Sequence, residues 1–256
     1  MRKEENRNYK QRLVKGFKLL MHQKSPYKVW SDLMLLYAVE IANTTIRPLK
    51  DMEPFKSIWN EREKQYIETI KTYNKKEQKI ISQIFTMLVM ELEENPCQDL
   101  LGEIYMMLEI SNKNNGQFFT PYSVCDLMSA VTIDRKTLGK QLKKNGYVTI
   151  NDCSCGGGAT LISAVERCKE MFKKLNYQNH IMVVGQDIDI TCVHMSYIQL
   201  SLHGMAGYMI LGNTLTEPVV KDLHRIWFTP MYFSDVWTMR RLFHNQDILG
   251  RGGKNE

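Results

Sequence analysis

Apolar residues recur at helical spacing through the first third of the chain. Trp30, Leu33, Met34, Tyr37 and Ile41 form one set, and Ile67, Ile70, Ile80, Ile81, Ile84, Phe85 and Leu88 continue the pattern. A period near 3.6 puts such residues on one helix face, so this part is predicted to be helical. Pro48 and Pro54 punctuate it, because proline lacks the amide that a helix interior needs. Asn95-Pro96-Cys97 reads as a helix stop, and another helix is predicted from Asp99 through Leu100, Leu101, Ile104, Tyr105 and Leu108. The polar stretch 111–116 ends it. The boundary falls there, dividing a helical region, 1–115, from a second unit, 116–256.

In the second unit the period changes. Residues 147–150, 181–184 and 208–211 are short β-branched or apolar runs, and 225–228 is a short fourth one. Helical patterns fill 159–174 and 189–203, the latter with Val193, Tyr197 and Leu200 on one side. Strand alternating with helix predicts an α/β fold with a parallel sheet, whose ligands sit at the carboxyl ends of the strands.

Composition narrows the class. With 43% hydrophobic and 24% charged residues, the chain has the make-up of a globular protein, not of a disordered one. No run reaches the ~18 apolar residues of a membrane span. The polar start, Met1-Arg2-Lys3-Glu4-Glu5, leads into no apolar segment, so a cytoplasmic protein without a secretory leader is expected. The six cysteines include no C-x-x-C, and the histidines share no ligand spacing, so no metal site is expected. The net charge of +6 is uneven: residues 1–80 carry 18 Lys and Arg against 10 Asp and Glu. Such a basic third fits contact with a polyanion or a solvated helical face.

The sharpest local signal is Asn151-Asp152-Cys153-Ser154-Cys155-Gly156-Gly157-Gly158-Ala159-Thr160-Leu161, a glycine loop between a strand and a helix. The phosphate pattern G-x-x-x-x-G-K-[ST] is missing, and Leu161 stands where a dinucleotide loop needs its third glycine. Asp152 can accept from an ammonium group or water, and Asp187, ending the next strand, suits a ribose diol. Two acids beside a glycine turn describe a nucleoside with a cationic amino-acid tail, or else a sharp turn with solvated acids.

In order along the chain, these residues resemble the adenine-specific DNA methyltransferases that serve as modification subunits of type I restriction systems. Asp99 to Tyr105 is similar to the helix before the cofactor site. Gly116-Gln117-Phe118-Phe119-Thr120-Pro121 resembles G-Q-F-[FY]-T-P, and Asp152 to Leu161 resembles D-P-x-C-G-[ST]-G-x-x-L with Cys153 and Gly157 as departures. Gly185-Gln186-Asp187-Ile188-Asp189 is similar to the second motif, and Gly212-Asn213-Thr214-Leu215 stands where the family has G-D-[ST]-L.

The resemblance implies a Rossmann-like methyltransferase sheet that binds S-adenosylmethionine. The contacts it implies come from Gln117, Phe118, Phe119, Thr120, Pro121, Asp152, Ser154, Cys155, Gly156, Gly158, Asp187, Ile188, Asn213, Thr214 and Leu215. It also implies methylation of the adenine amino group in DNA, and DNA, a specificity or other protein subunit, or a second copy of the chain as partners.

One family element is missing. The [ND]-P-P-[FYW] motif that holds the flipped adenine is absent. Its nearest positional match is Thr229-Pro230-Met231-Tyr232, making Thr229, Pro230 and Tyr232 degenerate catalytic candidates. The alternative is a catalytically silent, methyltransferase-like binding or regulatory module of a restriction-modification or anti-restriction system. Because little chain follows Asn213, a partial sheet in the order 3-2-1-4 is expected, its open edge closed by the tail, the N-terminal helices or another chain. The tail from Met239 onward reads as irregular. The aromatic residues Trp227, Phe228, Tyr232, Phe233, Trp237 and Phe243 fit either base stacking or a cap on the core.

Overall fold

The computed structural model describes residues 8–110 and 119–244. Five helices come first: α1 (Tyr9–Met21), α2 (Pro26–Ile46), α3 (Phe55–Ile70), α4 (Lys75–Glu94) and α5 (Leu100–Met107). Then follow α6 (Tyr122–Thr132), α7 (Arg135–Asn145), β1 (Val148–Asp152), α8 (Ala159–Met171), the single turn α9 (Tyr177–His180), β2 (Ile181–Asp187), α10 (Ile190–Leu202), β3 (Ala206–Leu211), β4 (Ile226–Phe228) and α11 (Asp235–His244). The helical first third and the three parallel strands agree with the sequence pattern.

The middle of α2 is apolar nearly all round, burying Val29, Trp30, Leu33, Met34, Leu36, Tyr37 and Val39. A helix with that composition has to be enclosed. It packs on α10, where every residue from Thr191 to Leu200 is buried. Thus α10 lies between the sheet and the N-terminal helices, and one continuous apolar core runs from Leu13 and Phe17 to Val183, Met209 and Trp227.

Two helices escape the sequence reading. In α6, Val124, Leu127, Met128 and Val131 are exposed while only Cys125 and Ser129 are buried, so the apolar residues do not mark the inward face. In α7, lysines dominate and Leu138 alone is buried. Its ends carry the signals instead: Asp134 accepts from the Thr137 amide, and Gly146 closes the helix at φ 75°.

The sheet order is β1-β2-β3-β4, not 3-2-1-4. The first three strands are parallel, with Asn151 opposite Val184 and Val184 opposite Tyr208. The fourth is antiparallel to β3, pairing Phe228 with Tyr208 and Ile226 with Ile210. A strand placed parallel beside β1 needs a crossover over the sheet, usually a helix. Residues 212–225 contain only a 3-10 turn at Leu223–Arg225, and the chain folds back on β3 instead. Among the described residues, β1 pairs with β2 alone.

The start of the tail is also ordered, contrary to the irregular end expected. Helix α11 is pinned through Trp237 Nε1, which donates to the Gln178 carbonyl at 2.7 Å, and through Arg240, which donates to the Gly146 carbonyl at 3.1 Å. Residues 245–256 lie outside the described part.

Candidate functional site

The glycine loop leaves the carboxyl end of β1 and bends onto β2. The Cys155 amide donates to the Gln186 carbonyl at 3.0 Å, and the Gly156 amide donates to Asp187 Oδ2 at 2.9 Å. Gly156 has φ 50° and Gly158 φ 94°, conformations that side-chain-bearing residues avoid. A Cβ on Gly158 would also lie 3.1 Å from Ser196 Cβ, so this glycine is required for α8 to start against α10.

The two candidate acids organise backbone. Asp152 Oδ1 accepts from the Ser154 amide at 2.9 Å, and its other oxygen accepts from the Thr160 hydroxyl in the first turn of α8. Asp187 Oδ1 accepts from the Asp189 amide at 2.9 Å. A carboxylate offers about four lone-pair sites. One protein donor on each Asp187 oxygen therefore leaves capacity for a diol, and Asp187 is half-buried beside the exposed Ile188.

The loop after β3 joins the same end of the sheet. Thr214 Oγ1 donates to the Cys153 carbonyl at 2.7 Å, stapling the two loops together. Asn213 Oδ1 accepts from the Leu215 amide at 3.0 Å and so shapes its own turn, while Leu215 is fully open to solvent. Cys155 is buried beside Ser196, and burial, reinforced by Asp187, holds its thiol well above the ordinary range. It is a wedge in the loop, not a nucleophile.

Phe119 lies over the loop: a Cβ on Gly156 would meet its ring at 3.5 Å. The ring also meets Tyr105 edge-on at 5.0 Å, Tyr105 meets Trp30 at 5.4 Å, and Trp30 meets Phe17 at 5.0 Å. An aromatic chain therefore connects α1 to the glycine loop. Thr120 and Pro121 are exposed, Pro121 at the start of α6. Gln117 and Phe118 lie outside the described residues.

Pattern reading missed the residue that holds the loop from below. Gln199 Nε2 donates to Asp99 Oδ1 at 2.7 Å and to the Gly157 carbonyl at 2.8 Å, while its Oε1 accepts from the Leu101 amide at 3.0 Å. Asp99 also caps α5 through the Gly102 amide. Burial raises the Asp99 carboxyl above its usual range, against the lowering by Gln199 and Gly102. A glutamine amid Val193, Tyr197 and Leu200, on a helix that must be enclosed, is the signal that marks it.

The catalytic candidates are not brought to this site. Thr229 Oγ1 accepts from the Gly207 amide at 3.0 Å and donates to the Gly207 carbonyl at 3.1 Å, at the amino end of β3. The glycine loop is at the other end of the sheet, beside Asp187 opposite Leu211, roughly 13 Å from Gly207 along a strand rising ~3.3 Å per residue. Thr229 is fully buried, Pro230 is exposed at the start of a 3-10 turn, and Tyr232 is buried against Phe228, their rings 4.6 Å apart. The antiparallel return of β4 is the reason: it points the end of the strand away from the loop. Of the aromatic group, Phe228, Tyr232 and Phe233 pack on one another and Trp237 on Tyr147; the side chain of Phe243 lies outside the described part.

With this geometry established, residues 97–250 match the N-6 DNA methylase family, and the chain belongs to it. The type I restriction enzyme MpnII methylase subunit of Mycoplasma pneumoniae is 28% identical over 157 residues, which cover 58% of this chain and 26% of that protein. The chain thus spans about a quarter of the length of this curated relative. A crystal structure of the type I restriction-modification system methyltransferase subunit from Streptococcus thermophilus superposes with a TM-score of 0.41 at 13% identity, covering 86% of this chain and 60% of that one. Among the described residues no helix is long and apolar enough to cross a membrane.

Proposed function

We propose that the protein is an S-adenosylmethionine-binding module of the adenine DNA methylase family. The observation that carries this reading is the bond from the Gly156 amide to Asp187, which sets a positive-φ glycine turn and a strand-end carboxylate side by side. Asp187 would accept from the ribose hydroxyls, the Ile188 side chain and the 213–215 loop would border the adenine, and Gly156 with Phe119 would line the methionine part. Asp152, which like Asp187 holds one protein donor on each oxygen, would shape the loop and accept from the ammonium group of the methionine part. When bound, the sulfonium supplies an activated methyl group.

Base holding is a separate requirement, and the described residues at this end of the sheet include no acceptor followed by an aromatic platform. We therefore favour the binding or regulatory module over a self-sufficient enzyme. The second reading, methylation of DNA adenine within an assembly, is favoured by the relative that is a methylase subunit. In that case groups outside the described residues hold the base, and DNA lies against the basic N-terminal third.

Calorimetry with S-adenosylmethionine tests the pocket, and transfer of a tritiated methyl group to adenine-containing duplex DNA tests the chemistry. Binding without transfer by the isolated chain is the expected result. Absence of binding overturns the proposal; transfer by the isolated chain moves the conclusion to the enzyme.

A further inference from the structure

A concavity lies at the β4 side of the sheet, between α2, α3 and α10, with a volume of about 470 Å³. Its inner wall holds two buried polar groups. Arg62 is 6% exposed; its Nη2 donates to the Ile226 carbonyl at 3.0 Å, and its guanidinium lies 3.9 Å from the centre of the Trp227 ring. His194 is 3% exposed, its ring meets Trp227 edge-on at 4.5 Å, and its buried Nε2 has no hydrogen-bond partner.

The charged groups around Arg62 have hydrogen-bond partners of their own. Asp32 accepts from Tyr73 at 2.9 Å and from Lys28, Glu61 pairs with His224 at 2.5 Å, and Arg225 pairs with Glu217 at 2.8 Å. No carboxylate among the described residues is within ion-pair distance of Arg62. A buried cation is costly, and the Ile226 carbonyl, the Trp227 ring and the nearby Glu61 charge offset that cost only in part. Burial accordingly lowers its pKa to about 10. A guanidinium has five N–H donors in a planar fork that matches a carboxylate, and one bond to a carbonyl leaves most of them unused. Leu35, Ile190, Leu211 and Trp227 form the apolar part of the concavity, and Asp222, which accepts from the His224 amide, lies on its rim with Gln65 and Thr191.

We propose that this concavity is a binding site for a small organic carboxylate with an apolar body. The carboxylate is held by Arg62, one of its oxygens is within reach of His194, and the body rests among Leu35, Ile190 and Leu211. A guanidinium with no ion-pair partner and spare donors fits a monoanion. A dianionic phosphate would carry excess charge toward Asp32 and Glu61. The site is separate from the glycine loop, and its test does not depend on S-adenosylmethionine binding.

Benzoate is the probe, titrated into the full chain and followed by calorimetry and ligand-observed NMR. Binding is expected in the millimolar range, about −4 kcal/mol, with benzyl alcohol and inorganic phosphate at least ~10-fold weaker. Arg62→Met should weaken benzoate at least ~10-fold while leaving S-adenosylmethionine affinity as in the parent protein. Leu35→Trp, which fills the apolar part and keeps the charge, should do the same and serves if Arg62→Met does not fold. No binding by the parent protein, equal binding of phosphate or benzyl alcohol, or a folded Leu35→Trp that binds benzoate undiminished would each overturn the proposal.

Discussion

Gln199 on α10 donates to the buried carboxylate of Asp99 at 2.7 Å, and the same amide nitrogen reaches the Gly157 carbonyl at 2.8 Å. One side chain thereby ties the cap of α5 to the glycine loop across 100 residues of sequence. Replacing it by leucine leaves the Asp99 carboxylate with the Gly102 amide alone and strands the Leu101 amide and the Gly157 carbonyl in the core. We expect Gln199→Leu to lose about 2–4 kcal/mol of stability in urea unfolding, since buried polar groups left unpaired carry their full desolvation cost. In combination with Asp99→Ala the loss should be smaller than the sum of the two single losses, because they share one network. Strict additivity would show that the network does not exist in solution.

Asp187→Ala removes the acceptor for the Gly156 amide and the proposed ribose contact together. S-adenosylmethionine affinity should fall about 10- to 100-fold, equivalent to ~1.4–2.8 kcal/mol, whereas Asp187→Asn, which keeps one acceptor, should fall less. Gly158→Ala tests the loop from its other end: the positive φ and the nearby Ser196 should cost about 1–3 kcal/mol. Unchanged calorimetric affinity in both Asp187 variants would remove the acid from the pocket.

Thr229 and Tyr232 should behave as structural residues. Thr229→Val leaves the buried Gly207 amide without its hydroxyl acceptor, an expected loss of about 1–3 kcal/mol in thermal unfolding. Tyr232→Phe keeps the packed ring. Neither change should alter S-adenosylmethionine affinity. A loss of methyl transfer in Tyr232→Phe, with stability intact, would restore the tyrosine to the chemistry.

Two buried histidines make stability fall on the acid side. Burial, aided by the Arg62 charge, lowers His194 to about 3, and burial lowers His203 to about 4. Near His203 the Glu166 carboxylate opposes that lowering and Lys169 adds to it. Both rings are neutral in the folded chain, while the unfolded chain binds protons from about pH 6.5 downward. Their contribution is therefore complete above about pH 6.5 and is lost as pH falls toward 4, at about 1.4 kcal/mol per unit for each ring. Urea midpoints measured between about pH 7 and 5 should fall accordingly, and the slope should flatten in a His194→Gln, His203→Gln double variant.

Local order was legible in the sequence wherever one residue type has one physical consequence. The β-branched runs gave β1, β2 and β3, the apolar period of the first third gave helices, and Gly156 and Gly158 marked a turn that needs positive φ. The acid at the tip of β2 was readable because a carboxylate at the carboxyl end of a parallel strand faces the ligand crevice. Helices α6 and α7 were not readable, since their exposed faces carry apolar residues or lysines instead of a simple alternation.

Tertiary structure decided what the ends of those elements meet. Whether Thr229 to Tyr232 joins the glycine loop depends on which edge of the sheet β4 takes, and its connection settles this by carrying no helix to cross the sheet. The role of Gln199 and the burial of Arg62 against the Ile226 carbonyl depend on contacts between residues about 100 and 160 positions apart. Periodicity reports the face a residue occupies within its own helix or strand. Partner and counter-ion are set only when separate elements pack.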